Sequence, residues 1–333
     1  MFASLRRLAF AVSALTCVLA AQVETGKAPP DRARKAVLVT GASSGLGRAT
    51  AERLAAGGFF VYAGARKQKD LDALDAIDHV QAVKLDVTVQ ADIDAAVQTV
   101  TDAGRGLFAL INNAGVLVMA PMIELREQDL AFQLDVNLYG PFRLTKAFAP
   151  LLIESKGRVL TTGSLSGTVC WAFGGPYCIS KHAVEALTDC LAAELQPFDV
   201  QVGVVQPGNY RSDIMSTMHE RMQARGYTAQ GSRYARNMAG LMRQPDDRAR
   251  YPAPDDVAEA YTRALSADTM QRRYLVVPIR REAERTLAAA VERIAQMNAN
   301  HEHSLSREEL VKMLDAAMKR AAAPAAVPAG KKR

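Results

Sequence analysis

The 333-residue chain predicts an α/β fold, a doubly wound parallel sheet in a single domain with a C-terminal helical extension. Three observations carry that expectation. Short continuous apolar runs such as Val37-Leu38-Val39 have the pattern of parallel strands buried on both faces. Helix-compatible stretches separate these runs, and parallel strands need such crossovers. The composition, with 49% hydrophobic residues, 22 Gly and 14 Pro, excludes a collagen-like, low-complexity or disordered chain.

The first strand runs from Ala36 to Val39, and a helix follows it to Ala56, closed by Gly57 and Gly58. Further strands are predicted at Phe59 to Ala63, Ala82 to Leu85, Phe108 to Ile111, Arg158 to Thr162, Val202 to Val205 and Tyr274 to Val277. Helices are expected near Ala91 to Ala103, Glu127 to Glu154, Tyr177 to Leu195 and Asp255 to Leu265. Together residues 35–280 read as one α/β domain. Residues 281–320 form the extension, as two helices at Arg280 to Met297 and Ser306 to Met318, the second opened by a capping box from Ser306 to Glu309.

The ends differ from the middle. Residues 1–34 read as a signal-like leader and linker, in which Arg6 and Arg7 precede an apolar run from Leu8 to Ala21. A cleaved secretory signal and an uncleaved anchor, with membrane association, are both open; the paired arginines match a twin-arginine signal only in part. Residues 321–333 read as a disordered basic tail. Residues 1–35 hold six Lys/Arg against two acids and residues 319–333 five against none, which leaves the stretch between them at −3 of a total of +6. The basic pI of about 9.2 therefore belongs to the ends, and no nucleic-acid partner is expected.

Of four cysteines, Cys17 is in the leader and Cys170, Cys178 and Cys190 are in the body, without CxxC or zinc spacing. Reduced thiols, mostly packed as small hydrophobes, are expected. Free thiols favour the cytoplasm, and the leader favours export or anchoring. His301 and His303 lack a nearby third ligand, so they read as solvent-facing and no metal site is assigned.

The chemistry-bearing motifs all follow strands, where such sheets bind ligands. After the first strand comes Thr40-Gly41-Ala42-Ser43-Ser44-Gly45-Leu46-Gly47, a glycine-rich turn opening a helix whose free N–H groups suit a pyrophosphate. The second strand leads to Arg66 and Lys67 and no acid; a guanidinium there pairs with a 2′-phosphate, so NADP(H) is favoured over NAD(H). Tyr177 and Lys181, four apart on one helix, share a face, and an ammonium beside a phenol favours the phenolate. Ser164 ends the strand before them.

This set of motifs, TGxxxGxG followed by Asn112-Asn113-Ala114-Gly115, Ser164 and Tyr177-Cys178-Ile179-Ser180-Lys181, resembles the short-chain dehydrogenase/reductase family, over roughly Lys35 to Pro278. The resemblance implies a Rossmann-type fold and a catalytic tetrad of Asn137, Ser164, Tyr177 and Lys181, in which Asn137 holds a water relaying protons to Lys181. It also implies that Asp86 and Val87 line the adenine pocket and that Asn113, Ala114 and Gly115 border the ribose. Pro207, Gly208 and Ser212 match the loop that cradles the nicotinamide amide, with Ser212 in place of the usual Thr. Around Tyr177 the sequence looks most like members acting on retinoids and hydroxysteroids.

The expected activity is hydride transfer between NADP(H) and a small hydrophobic alcohol or carbonyl compound. The resemblance also makes residues 35–280 the dinucleotide-binding catalytic domain and residues at about 208–252 a lid over the substrate, whose methionines Met215, Met218, Met222, Met238 and Met242 are expected to line the pocket, with Trp171 and Phe173 near the reacting carbon. The same resemblance implies a homodimer or homotetramer, with the helices bearing Asn137 and Tyr177 as its usual face. An NAD-linked enzyme of the same family and a non-catalytic dinucleotide-binding sensor or scaffold are the alternatives.

Overall fold

A computed structural model describes residues 33–243 and 250–322 of the chain. The leader with Cys17, the tail from residue 323 onward and lid residues 244–249 lie outside them.

Seven strands form one sheet: β1 (Ala36–Val39), β2 (Phe60–Ala65), β3 (Val80–Lys84), β4 (Ala109–Asn112), β5 (Arg158–Thr162), β6 (Gln201–Pro207) and β7 (Arg273–Val276). Their spatial order is β3-β2-β1-β4-β5-β6-β7 and every pairing is parallel. This is a doubly wound Rossmann-type sheet. The winding reverses between β1 and β4, in register at Val39 and Ile111, and the crevice beyond those two strand ends is where a dinucleotide fits.

Alternation of side chains builds a core on each face. Val37 and Val39 of β1 point into one cluster, with Ala51 and Leu54 of α1 (Gly45–Ala56) and Tyr261 of α9 (Asp255–Ser266). Ala36 and Leu38 point into the other, against Ile93 of α3 (Gln90–Asp102) and Leu144 and Phe148 of α5 (Gly140–Glu154). Each fully buried Val or Leu contributes about 1.5–3 kcal/mol, so the alternation fixes the register.

Helix α2 (Gln68–Asp75) escapes the sequence reading because only Leu71 and Leu74 of its polar sequence are buried. The single helix expected over Glu127 to Glu154 is interrupted. α4 (Glu127–Leu134) passes through a π-helical turn, Asp135–Tyr139, before α5 begins. Pro141 causes the break, since it has no N–H for the Asn137 carbonyl and its ring crowds that oxygen.

The segment expected to act as a lid carries α7 (Ile214–Ala224) and α8 (Ala235–Arg243), and the extension carries α10 (Arg280–Asn298) and α11 (Arg307–Ala322). In the capping box Ser306 N–H donates to Glu309 Oε2 at 2.8 Å and Glu309 N–H to Ser306 Oγ at 3.3 Å. α11 continues two residues into the segment assigned above to the tail. Among the described residues no helix is long and apolar enough to cross a membrane.

Candidate active site

Local sequence explains the dinucleotide cradle. Gly41 has φ +64°, and a Cβ there would lie 2.8 Å from Ala114 Cα; one on Gly47 would lie 2.2 Å from the Gly41 carbonyl oxygen. No side chain caps the first turn of α1, so its N–H groups face the crevice. Asn113 joins this loop to β4, donating from Nδ2 to the carbonyl oxygens of Thr40 (2.9 Å) and Gly41 (3.2 Å). Thr162 at the end of β5 donates to Asn113 Oδ1 at 3.2 Å, so three strand ends are held by one amide.

Beyond β2, Arg66 lies 3.6 Å from Asp86, its side chain 63% exposed. Asp86 also accepts from Thr88 N and Oγ1 at 2.9 and 2.7 Å. Burial pushes its carboxyl up, and the Thr88 hydrogen bonds and Arg66 outweigh that and hold it below the ordinary carboxylate value.

The second half of the site sits at the ends of β5 and the start of α6 (Gly175–Leu195). Ser164 accepts from Ser166 N–H at 3.1 Å and donates to Ser166 Oγ at 3.2 Å. Pro176 occupies the first turn of α6, so Tyr177 lies inside the helix rather than opening it. Lys181 Nζ lies 5.6 Å from the Tyr177 ring centroid and donates to the Thr162 carbonyl oxygen at 2.6 Å. Burial pushes its ammonium down to about 8, with Glu185 offsetting part of the effect.

A cleft of about 550 Å³ brings together the cradle, Arg66, Asp86, Val87, Asn113, Ala114 and Gly115 with Ser164, Tyr177, Lys181, Pro207, Gly208 and Ser212. Ser43, Ser44, Gly45 and Leu46 line it as well. Its glycine-walled end and unclosed helix N-terminus fit a dinucleotide. Asn137 does not line the cleft: it is buried beneath it, its Nδ2 donating to Val116 O at 3.0 Å and Ser180 Oγ at 3.2 Å, its Oδ1 accepting from Val116 N–H at 2.8 Å.

Three expectations are corrected. Met218, Met222 and Met238 pack with Leu117 and Leu241 in a small lid core, and of the lid methionines Met215 alone lines the cleft, because the stripe faces inward between α7 and α8. Trp171 lines the cleft, but Phe173 packs edge-on against Tyr234 at 5.5 Å and does not. Only Cys178 of the three body thiols is buried, its thiol pushed up by burial to about 11; Cys170 lies in a loop and Cys190 on the outer side of α6, both exposed. His301 and His303 are exposed between α10 and α11.

The structure also adds residues. Arg221, Arg250 and Tyr251 of the segment expected to act as a lid line the cleft; an excess of arginine there was the only signal for the first two, and Tyr251 had none. Glu282 of α10 accepts from Asn209 N–H at 3.2 Å and Asn209 Nδ2 at 2.6 Å, a contact no local motif announces.

A family model described as short chain dehydrogenase matches residues 35–223, more than half of the chain. The chain belongs to the short-chain dehydrogenase family. It is 37% identical over 201 residues to the mitochondrial D-beta-hydroxybutyrate dehydrogenase of Rattus norvegicus, covering 57% of this chain and 58% of that one. It is 40% identical over 187 residues to retinol dehydrogenase 16 of Homo sapiens, covering 55% and 59%. The matches thus span less than two thirds of these relatives. Among solved structures, a short-chain dehydrogenase/reductase from Burkholderia phymatum in complex with NAD is 25% identical with a TM-score of 0.65, covering 82% of this chain and 98% of that one. An alcohol dehydrogenase from Thermococcus sibiricus, complexed with 5-hydroxy-NADP, is also 25% identical, with a TM-score of 0.59 over 73% and 95%. Family members of this fold therefore take either dinucleotide.

Proposed function

We propose that the protein is an NADP(H)-dependent oxidoreductase interconverting hydrophobic secondary alcohols and ketones. One observation carries this reading: a single cleft holds the glycine cradle at one end and Ser164, Tyr177 and Lys181 at the other. When bound, the nicotinamide supplies or accepts the hydride. Tyr177 acts as acid/base, giving its phenolic proton to the carbonyl oxygen in reduction and taking it back in oxidation. The Lys181 ammonium stabilises the phenolate. Ser164 turns its hydroxyl from Ser166 to the substrate oxygen. Asn137 is a positioning residue whose carbonyl, which Pro141 cannot bond, is offered to a water relaying protons to Lys181.

Arg66 supports NADP(H) by standing exposed at the end of β2. NAD(H) is the second reading, favoured by the Asp86 carboxylate that partly neutralises Arg66. The hydroxybutyrate and retinol named in the relatives are both alcohols, in keeping with a CH–OH substrate. Exposed Tyr139, Phe142 and Ile179, on the π turn, α5 and α6, support a dimer through that face. Exposed Cys170 and Cys190, both free, support a reducing compartment, and sequencing the mature N-terminus from fractionated cells decides the fate of the leader.

The deciding experiment follows NADPH and NADH absorbance with a panel of ketones and alcohols. Ketone-dependent NADPH oxidation supports the reading, turnover with NADH alone moves it to the NAD-linked form, and dinucleotide binding without any turnover replaces it with a sensor or scaffold.

A further inference from the structure

Helix α10 lies beyond the segment that the family model matches, yet it is fastened across the site at two points. Near its start, Glu282 grips Asn209, so close over the loop that a Cβ on Gly208 would fall 2.0 Å from Glu282 Oε2. Further along, Arg293 meets Nε2 of His182, the residue after Lys181, at 2.8 Å. Arginine only donates, so Nε2 accepts and the proton stands on Nδ1, which donates to the Cys178 carbonyl oxygen at 2.9 Å.

Between these fastenings lies a second cavity of about 440 Å³. Ser164, Trp171 and Gly208 form its inner side, and Glu282, Arg285 and Thr286 of α10 its outer side. The inner three also line the main cleft, so a substrate whose oxygen is held at Ser164 has this space directly behind it. Leu165 and Val169 make much of the wall apolar. The charges at the rim are unequal in freedom. Both Glu282 oxygens are turned onto Asn209, Arg280 is paired with Glu284 at 2.6 Å, and Arg285 has no carboxylate within ion-pair distance among the described residues.

We propose that this cavity is the subsite for the part of the substrate remote from the reacting carbon, and that it takes an apolar chain ending in a carboxylate, which pairs with Arg285. A guanidinium meets a carboxylate through two parallel hydrogen bonds, which makes it selective for a planar acid at the end of an apolar chain. The substrate class is then a keto or hydroxy acid. This assignment rests on the oxidoreductase reading above.

Trp171 is the only tryptophan in the chain and lines this cavity, so its fluorescence reports occupancy without turnover. The full-length protein, with NADP⁺ present so that a bound ketone meets no hydride donor and is not reduced, is titrated with straight-chain methyl ketones of graded length bearing a terminal carboxylate, and with counterparts ending in a methyl group. In the wild type the best carboxylated ketone is expected to bind at least about 10-fold more tightly than its neutral counterpart, a difference of about 1.4 kcal/mol. Arg285→Met brings the two within about two-fold, and Arg285→Lys, which keeps the charge but not the fork, restores part of the preference. Equal affinities in the wild type, or an undiminished preference in Arg285→Met, overturn the proposal. Failure of the oxidoreductase reading shows separately, as NADPH absorbance that no ketone alters while the fluorescence preference persists.

Discussion

Lys181 donates from Nζ to the backbone carbonyl oxygen of Thr162 at 2.6 Å, tying the helix that bears Tyr177 to the strand end that leads into Ser164. The bond holds a cation that is only 5% exposed. Burial lowers its pKa from 10.5 to about 8, so the folded protein carries this charge at a cost on the order of 3 kcal/mol. That cost is fully present below pH 8. Between about pH 8 and 10.5 the unfolded chain binds the extra proton, and stability from this group rises with pH. Lys181→Met should therefore have its most favourable stability relative to wild type at pH 7, and lose about 3 kcal/mol of that relative stability by pH 10.5. Urea unfolding of both proteins at the two pH values measures the difference; a gap independent of pH contradicts it.

Tyr177→Phe removes the phenolic hydroxyl and keeps the ring, which lies beside Trp171 at a centroid distance of 6.1 Å. Turnover should fall by about 10²–10⁴-fold. NADPH affinity, followed by cofactor fluorescence, should stay within about three-fold, because acid–base catalysis and not dinucleotide binding is lost. A variant that binds NADPH poorly would show that the hydroxyl holds the cofactor rather than moving a proton.

The parts of this site that sequence makes legible are local. Gly41 to Gly47 lie between one strand and one helix, and Tyr177 and Lys181 share one helical turn, so spacing alone puts them together. Asn137 is legible as a residue and not as a geometry: the π turn around it depends on Pro141, whose effect on the ladder a hydrophobic period does not reveal. The lid methionines show the opposite error. Their helical spacing marks an inward face, and a buried core and a pocket wall produce the same pattern until α8 is seen to cover α7. Glu282 and Asn209 are 73 residues apart, and nothing in either neighbourhood encodes their meeting.

Arg66 and Asp86 stand 3.6 Å apart in the cleft wall, and the 2′-phosphate of an NADPH bound as proposed would compete with that carboxylate for the guanidinium. Arg66→Ala should weaken NADPH binding by about 10-fold or more while changing NADH by less than about three-fold. Asp86→Asn keeps the side-chain shape, removes the charge, and should tighten NADPH by a few-fold, roughly 0.5–1 kcal/mol at a partly exposed site. Titrations with both cofactors decide it. Equal weakening of NADPH and NADH in Arg66→Ala would reduce Arg66 to a wall of the adenine pocket.

Asp129 of α4 joins the lid to the body. It is 1% exposed, accepts from Arg126 Nε at 2.7 Å, and is also bonded by Arg225 and by the Tyr227 hydroxyl at the end of α7. Burial pushes its carboxyl up, but Tyr227, Arg126 and Arg225 outweigh burial and hold it below the ordinary value. A depressed carboxylate adds stability above its unfolded pKa of 3.8 and loses it as pH falls toward the lower folded value, so the lid should loosen only in acid below about pH 4. Asp129→Asn imposes that loss at neutral pH, leaving the partly exposed Arg126 and Arg225 without their anion, at a cost of about 1–3 kcal/mol. Because the contacts fasten α7 rather than the sheet, the loss should appear first as local opening. Hydrogen exchange should quicken across Ile214–Ala224 while β1 and β4 stay protected, and ketone KM should rise more than kcat falls. Uniform deprotection of lid and sheet together would show that Asp129 supports the whole fold and not the lid.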